Sequence, residues 1–398
     1  MVPAIRSHFN KNFSVQKYKG YLNALNAKHP GVIEFRVAET PVFVSKDFTK
    51  KMMNACESII DIITGPTFKT LTKNAIPQNL RVPGENEHTD FIAFDFGVCI
   101  NEDGEYIPQL IEMQGFPTLF AYQVFLADTC EKTYDIPADY SPYLNGYTRD
   151  TYLQLLKDIL LNGHASENVI LLELFPEKQK TLIDFLLTQE YTGVQTVCLT
   201  KLIKEGKKLF YNNNGSKTEI KRIYNRLIFD ELLQQPEEVQ QKGNILFEEM
   251  DVEWCPHPNW FYRISKYTLP FIDHPYVPPT FFLNEIKQLP GDLSNYVLKP
   301  LFSFAGQGVV IDVTQNDIDA IEDPENWILQ QKVKYADVIE TPDVAAKTEI
   351  RLFYFWKNGE KKPVAVNNLA RLSKGKMIGV NYNKDKEWVG GSLCYFEQ

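Results

Sequence analysis

The sequence predicts an α+β protein with a small α/β parallel-sheet domain inside it, and three observations carry this. Hydrophobic residues make up 44% and aromatics 13% of the 398 positions, enough for a large core, which excludes wholesale disorder. Between about 148 and 233 short apolar runs alternate with helical stretches, the rhythm of an open parallel sheet. From 255 onward prolines are dense, and extended segments then dominate. At roughly 150 residues per domain the length predicts two to three domains. The changes of rhythm divide the chain into 1–147, 148–250 and 251–398.

Taken in order, residues 1–90 read as mixed helix and loop, with apolar residues at helical spacing from Asp47 to Ile63. Residues 91–114 read as a β-hairpin. Val169–Leu172 is a buried-strand run, Glu177–Leu187 is helical, and Val194–Leu199 is a second strand. Leu202–Glu205 reads as a helical turn and Ile220–Ile228 as a third strand. Gln234–Gly243 is polar, a surface helix or linker, with a soft boundary near 250. Tyr296–Lys299, Gly308–Val313, Trp327–Val333, Glu349–Trp356 and Lys362–Asn367 are expected to be extended, and Asn358-Gly359 is a type I′ hairpin signal.

Charge narrows the function. Asp and Glu number 51 against 42 Lys and Arg, a net charge of -9, which argues against a general nucleic-acid partner. A local lysine cluster can still hold a phosphate in an acidic protein, so ATP stays open. No apolar run approaches the ~20 residues of a membrane span. The opening MVPAIRSHFNKNF lacks the apolar region of a signal peptide, and six scattered cysteines form no CxxC pair; both point to a reducing cytoplasm. Cys255 and His257 lie close together, but no second pair completes a zinc site.

The segment FIAFDFGVCINEDGEYIPQLIEMQG carries the sharpest geometric argument. With Asp103-Gly104 as a two-residue turn, Glu102 pairs with Glu105 and Asp95 falls opposite Glu112. Side chains alternate along a strand, so Gln114 shares the face of Glu112. Facing carboxylates repel unless a cation lies between them. Hard oxygen ligands on a rigid hairpin suit Mg²⁺. The alternative is that both carboxylates point to solvent.

A second constellation is YVLKPLFSFAGQGVVIDV, in which a strand ends at Lys299 and a small-residue loop runs from Ser303 to Gly308. Glycines let the backbone approach a phosphate, and a lysine neutralises it. No GK[ST] follows and no third glycine opens a helix, so neither a Walker loop nor a dinucleotide fingerprint fits. Lys266, in RISKYTLPF, sits on a short helix 33 residues earlier, where a lone lysine is ordinarily a solvated charge. The strand WILQQKV could present backbone groups to a base edge at its exit. In TEIRLFYFW strict alternation places Glu349, Arg351, Phe353 and Phe355 on one face, and a mutual Glu349–Arg351 salt bridge is the simplest use of the two charges.

Together these pieces resemble the ATP-grasp superfamily of carboxylate–amine ligases. The Asp95 and Glu112-Met113-Gln114 elements precede the lysines, an order similar to the circularly permuted branch that includes glutathionylspermidine synthetase and eukaryotic glutathione synthetase. The tail resembles that branch too, with a strand arginine, Arg371, before Gly390-Gly391. The resemblance implies an ATP-grasp-like, circularly permuted fold that uses ATP and Mg²⁺. In that scheme residues 1–147 bring a helical segment and the metal-binding hairpin, 148–250 the substrate side, and 251–398 the ATP lobe. Lys266, Lys299, Ser303, Gly306, Gln307, Gly308, Gln331, Lys332 and Val333 would bind nucleotide. Asp95, Glu112 and Gln114 would hold the metal, and Arg351 and Arg371 would stabilise charge during catalysis. The implied activity joins a small-molecule carboxylate to an amine through an acyl phosphate. Two departures stand out: Gln114 replaces the usual Asn, and Ala93 stands where the branch often has Arg. They favour one alternative, a catalytically silent nucleotide-binding or scaffold protein; a small-molecule kinase is the other.

Overall fold

The computed structural model describes residues 1–302, 308–375, 378 and 383–398. The strands, in chain order, are β1 (Val42–Val44), β2 (Phe91–Ile100), β3 (Tyr106–Gln114), β4 (Tyr140–Ser141), β5 (Val169–Glu173), β6 (Gln195–Cys198), β7 (Ile203–Glu205), β8 (Lys208–Asn213) and β9 (Ser216–Ile220). They continue with β10 (Arg222–Asn225), β11 (Glu253–Cys255), β12 (Thr280–Phe282), β13 (Tyr296–Pro300), β14 (Trp327–Gln331), β15 (Lys347–Phe355), β16 (Val364–Ser373), β17 (Gly390–Ser392) and β18 (Cys394–Glu397).

A five-stranded antiparallel sheet, ordered β17-β16-β15-β2-β3, brings the 91–114 hairpin beside strands some 250 residues away in sequence. The alternation of β15 explains how both its faces are covered. Ile350, Leu352, Tyr354 and Trp356 enter a core with Phe94, Phe96 and the helix Lys46–Ile63, whose first turn is capped by the Ser45 hydroxyl. On the other face Phe353 and Phe355 meet Phe91 and Phe120, the first residue of the helix Phe120–Thr133. Beyond Phe353 that second face turns polar, through Arg351 and Glu349.

The sheet β11-β10-β5-β6 is parallel throughout. It includes Glu253–Cys255, so it runs past the expected boundary at 250. The turn expected at Leu202–Glu205 is a strand, β7, paired with β8. β8 and β9 close a hairpin over Asn214 and Gly215, both at positive φ (51° and 91°). A small antiparallel sheet, β12-β14-β13, carries Lys299. The stretch Gly308–Val313 forms no regular strand; it only bridges to that sheet, Val310 to Leu298. The β15–β16 connection is a long loop, because Phe355 pairs with Val364 and Asn358-Gly359 does not close a tight turn. Among the described residues no helix is long and apolar enough to cross a membrane.

Candidate functional site

The acidic hairpin places Asp95 opposite Glu112 as expected, by a different route, while the expected Glu102–Glu105 pair does not form. Ile100 pairs with Tyr106, and Asn101–Glu105 form the connection, so Asp103-Gly104 is not a two-residue turn. That offset alone would move Asp95 out of line with Glu112. A β-bulge restores it: Phe96 faces Leu110 while Asp95 faces Glu112, and Ile111 is the extra residue. Ala93 then faces Gln114.

Asp95 is 2% exposed and both its oxygens are engaged. Arg351, directly across on β15, donates from Nε to Oδ1 at 2.5 Å and from Nη2 to Oδ2 at 2.6 Å. Arg371 on β16 adds Nη2 to Oδ2 at 2.8 Å. Burial pushes the Asp95 carboxyl up, but the two guanidiniums outweigh it and hold the carboxyl below its usual range. The expected Glu349–Arg351 pair does not form. Glu349 instead takes Arg371 at 2.9 Å and the Tyr335 hydroxyl at 2.5 Å. Burial raises the Glu349 carboxyl, opposed by Arg371. The remaining guanidinium nitrogen of Arg351, Nη1, reaches the Thr118 hydroxyl at 3.3 Å.

Both candidate lysines are buried, including Lys266, on a short helix where a lone lysine is ordinarily a solvated charge. Lys299 is 8% exposed, and donates to Gln330 Oε1 at 2.5 Å and to the carbonyl of Ile111, the bulge residue, at 3.2 Å. This bond joins the small sheet to β3 of the acidic hairpin, next to Glu112. Burial pushes the Lys299 ammonium down to about 8; Glu112 opposes that and Lys266 reinforces it. Lys266 is shifted the same way, by burial opposed by Glu112. Its placement depends on Gly115, whose N–H donates to Ile264 O at 2.8 Å. A Cβ at Gly115 would lie 2.7 Å from the Trp260 carbonyl oxygen, so only glycine admits this approach. Glu112 therefore acts electrostatically on Lys266, Lys299 and Arg371 together.

The other candidates are less convergent. Gln114 is half-buried and its amide nitrogen donates to Phe116 O at 3.5 Å. Gly308 and Gln331 are exposed and Val333 is half-buried. Lys332 is tied within its own lobe, to Ser294 O at 2.6 Å and Asp312 at 3.0 Å. Ser303, Gly306 and Gln307 lie outside the described residues. Cys255 and His257 are both buried; His257 bonds the Pro83 carbonyl at 3.0 Å, and burial takes its ring down to about 4.

Tyr335 is the functional neighbour that sequence reasoning missed. It crosses the central sheet at Gly97, where a Cβ would lie 2.7 Å from its ring. The glycine in FDFGV, inside an otherwise bulky strand, was the available signal.

The nucleotide and metal implied by the resemblance fare differently. Two buried lysines of depressed basicity, converging beside Glu112, fit a polyanion. The three-donor metal set does not fit as it stands, because the Asp95 carboxylate is held by arginine. Among the described residues no three His, Cys, Asp or Glu side chains are grouped to hold a metal ion.

No family model matches the chain, and no curated protein matches it. Its fold is similar to that of a glutathione synthetase-like effector from Globodera pallida, solved in apo form. The TM-score is 0.61 at 10% identity, over 97% of this chain and 98% of that one. The chain thus has a mixed α/β fold of several sheets, similar to a glutathione synthetase-like protein.

Proposed function

We propose that this chain is an ATP-dependent carboxylate–amine ligase of the circularly permuted ATP-grasp type, working in the cytoplasm. One observation carries the reading: Lys299 of the small sheet reaches the Ile111 carbonyl beside Glu112, so phosphate-binding and acidic elements from distant parts of the chain meet. Bound ATP would supply the phosphoryl group that activates a carboxylate as an acyl phosphate, open to attack by an amine. Lys299 and Lys266 would hold the phosphates, whose negative charge would favour the ammonium forms that burial disfavours. Arg371, 38% exposed at its side chain, is the guanidinium best placed to meet charge on a substrate, with Arg351 behind it. Gln331, Lys332 and Val333, at the exit of β14, are assigned to the base. Of the proposed metal donors, Glu112 and Gln114 remain available to a cation arriving with the nucleotide. The six cysteines are free and five are buried, in keeping with a reducing compartment.

The test is incubation with Mg-ATP and pooled carboxylate and amine metabolites, following ADP release and new masses. A new amide with stoichiometric ADP is the expected result. A stable phosphate ester would make the protein a kinase. Nucleotide binding with no product from any pool would favour the silent reading, which the engagement of Asp95 by arginine and the absence of a guanidinium at Ala93 already supports.

A further inference from the structure

The Asp95 carboxylate, which faces Glu112 across β2 and β3, already has cationic partners from β15 and β16. The Arg351 guanidinium forms a two-bond fork on Asp95, and Arg371 shares one of the same oxygens. Such forked, charge-assisted bonds are the strong ones. Three of the roughly four acceptor sites of the carboxylate are thus taken, at 2.5 to 2.8 Å, and a metal on Asp95 would sit beside two guanidinium charges unless it drew the carboxylate away from them. Arg351, whose side chain is 14% exposed, would in that case be left with an uncompensated buried charge. Among the described residues Glu112, opposite Asp95, has no such fork; lysines and Arg371 face it electrostatically. Arg371 also keeps a buried Nε with no partner among the described residues.

We infer that Asp95 is a positioning residue. It holds Arg351 and aims Arg371 at the substrates, and a divalent cation at this site is carried by Glu112 and Gln114 without it. The inference rests on the ligase reading for the substrates, but the arginine clamp is a property of the protein alone, so the two can fail separately.

The first measurement uses the full chain without nucleotide. Phenylglyoxal modification of Arg351 and Arg371 is followed by peptide mass, in wild type and in Asp95→Asn. The variant should release both guanidiniums and speed their modification severalfold. Equal rates in the two proteins would overturn the inference. The second uses wild type only, so it stands if Asp95→Asn does not fold. Saturating Mg²⁺ with ADP should not speed modification of Arg351; acceleration would mean that the metal takes Asp95 from its arginines, and would overturn the inference. The third is Mn²⁺ binding with ADP, read by paramagnetic resonance. Glu112→Gln should weaken it at least about tenfold, on the scale of losing a coordination-shell contact, while Asp95→Asn should leave it within about twofold. Equal loss in both variants would restore Asp95 as a ligand. If wild type binds no Mn²⁺ with nucleotide, the ligase reading falls, and the modification rates still decide the role of Asp95.

Discussion

Raising pH should weaken nucleotide binding through Lys299. Burial brings its ammonium from the ordinary 10.5 down to about 8. That difference corresponds to about 3 kcal/mol separating its charged form in the folded protein from that in water. A bound phosphate restores the charge, so binding above pH 8 takes up a proton. Affinity should then fall by up to about tenfold per pH unit, and by about 25-fold between pH 7.5 and 9.5. The same shift does not unfold the protein at high pH. A lysine whose folded value is depressed removes stability as pH falls from 10.5 to about 8, so alkali relieves this penalty. The assay is a fluorescence titration with Mg-ADP across that range, with calorimetry in two buffers of different ionisation enthalpy to count the proton. Glu112→Gln sharpens it. Because Glu112 supports the Lys299 charge, its removal should move the break below pH 8. An affinity that is flat from pH 7.5 to 9.5, or a break that ignores Glu112→Gln, would refute the reasoning.

Three further outcomes follow from the same contacts. Glu112→Gln should leave the apo protein slightly less stable by denaturant titration, since Asp95 is already neutralised and the Glu112 charge attracts Lys266, Lys299 and Arg371; a gain in stability would mean that carboxylate repulsion survives. Gly97→Ala should displace the Tyr335 ring from Glu349 and cost about 1–3 kcal/mol of stability, the range for a disrupted buried polar contact, whereas an unchanged melting temperature would show that the ring can shift at no penalty. Glu173, buried at the end of β5, has its carboxyl raised by burial to about 8. Its contribution is intact below the ordinary carboxyl value and is lost as pH rises to about 8, by up to about 1.4 kcal/mol per unit. Melting curves of Glu173→Gln should therefore lose less stability than wild type from pH 5 to 8.

Sequence periodicity reached the strands and their faces, because alternation records which side is buried. The two faces of β15 follow TEIRLFYFW residue by residue, and the parallel sheet follows its apolar runs. Partners were less legible. Arg351 and Glu349 are two residues apart on one face, and their nearness in sequence suggested a pair. The sheet instead offers Asp95 and Arg371 from strands more than 250 and about 20 residues away. Burial of the lysines was hidden for a related reason, since only tertiary packing brings Ile264 onto Gly115 and carries Lys266 inward. The hairpin register was inferred from a turn the protein does not use, and a bulge compensated. A bulge has no composition signature as strong as a glycine turn.

That bulge sets where this chain can change length. Side chains repeat every two residues along a strand, so a one-residue shift reverses which face each one takes. The connection Asn101–Glu105 lies beyond the bulge and is largely exposed, so residues can be gained or lost there without disturbing the acidic end of the hairpin. Deleting Ile111 is different. It would turn Leu110 to the sheet face of Asp95 or Glu112 into the core, and would withdraw the carbonyl that anchors Lys299. In any collection of chains sharing this fold, insertions and deletions should therefore gather at the hairpin tip and spare position 111, even where its side chain varies freely.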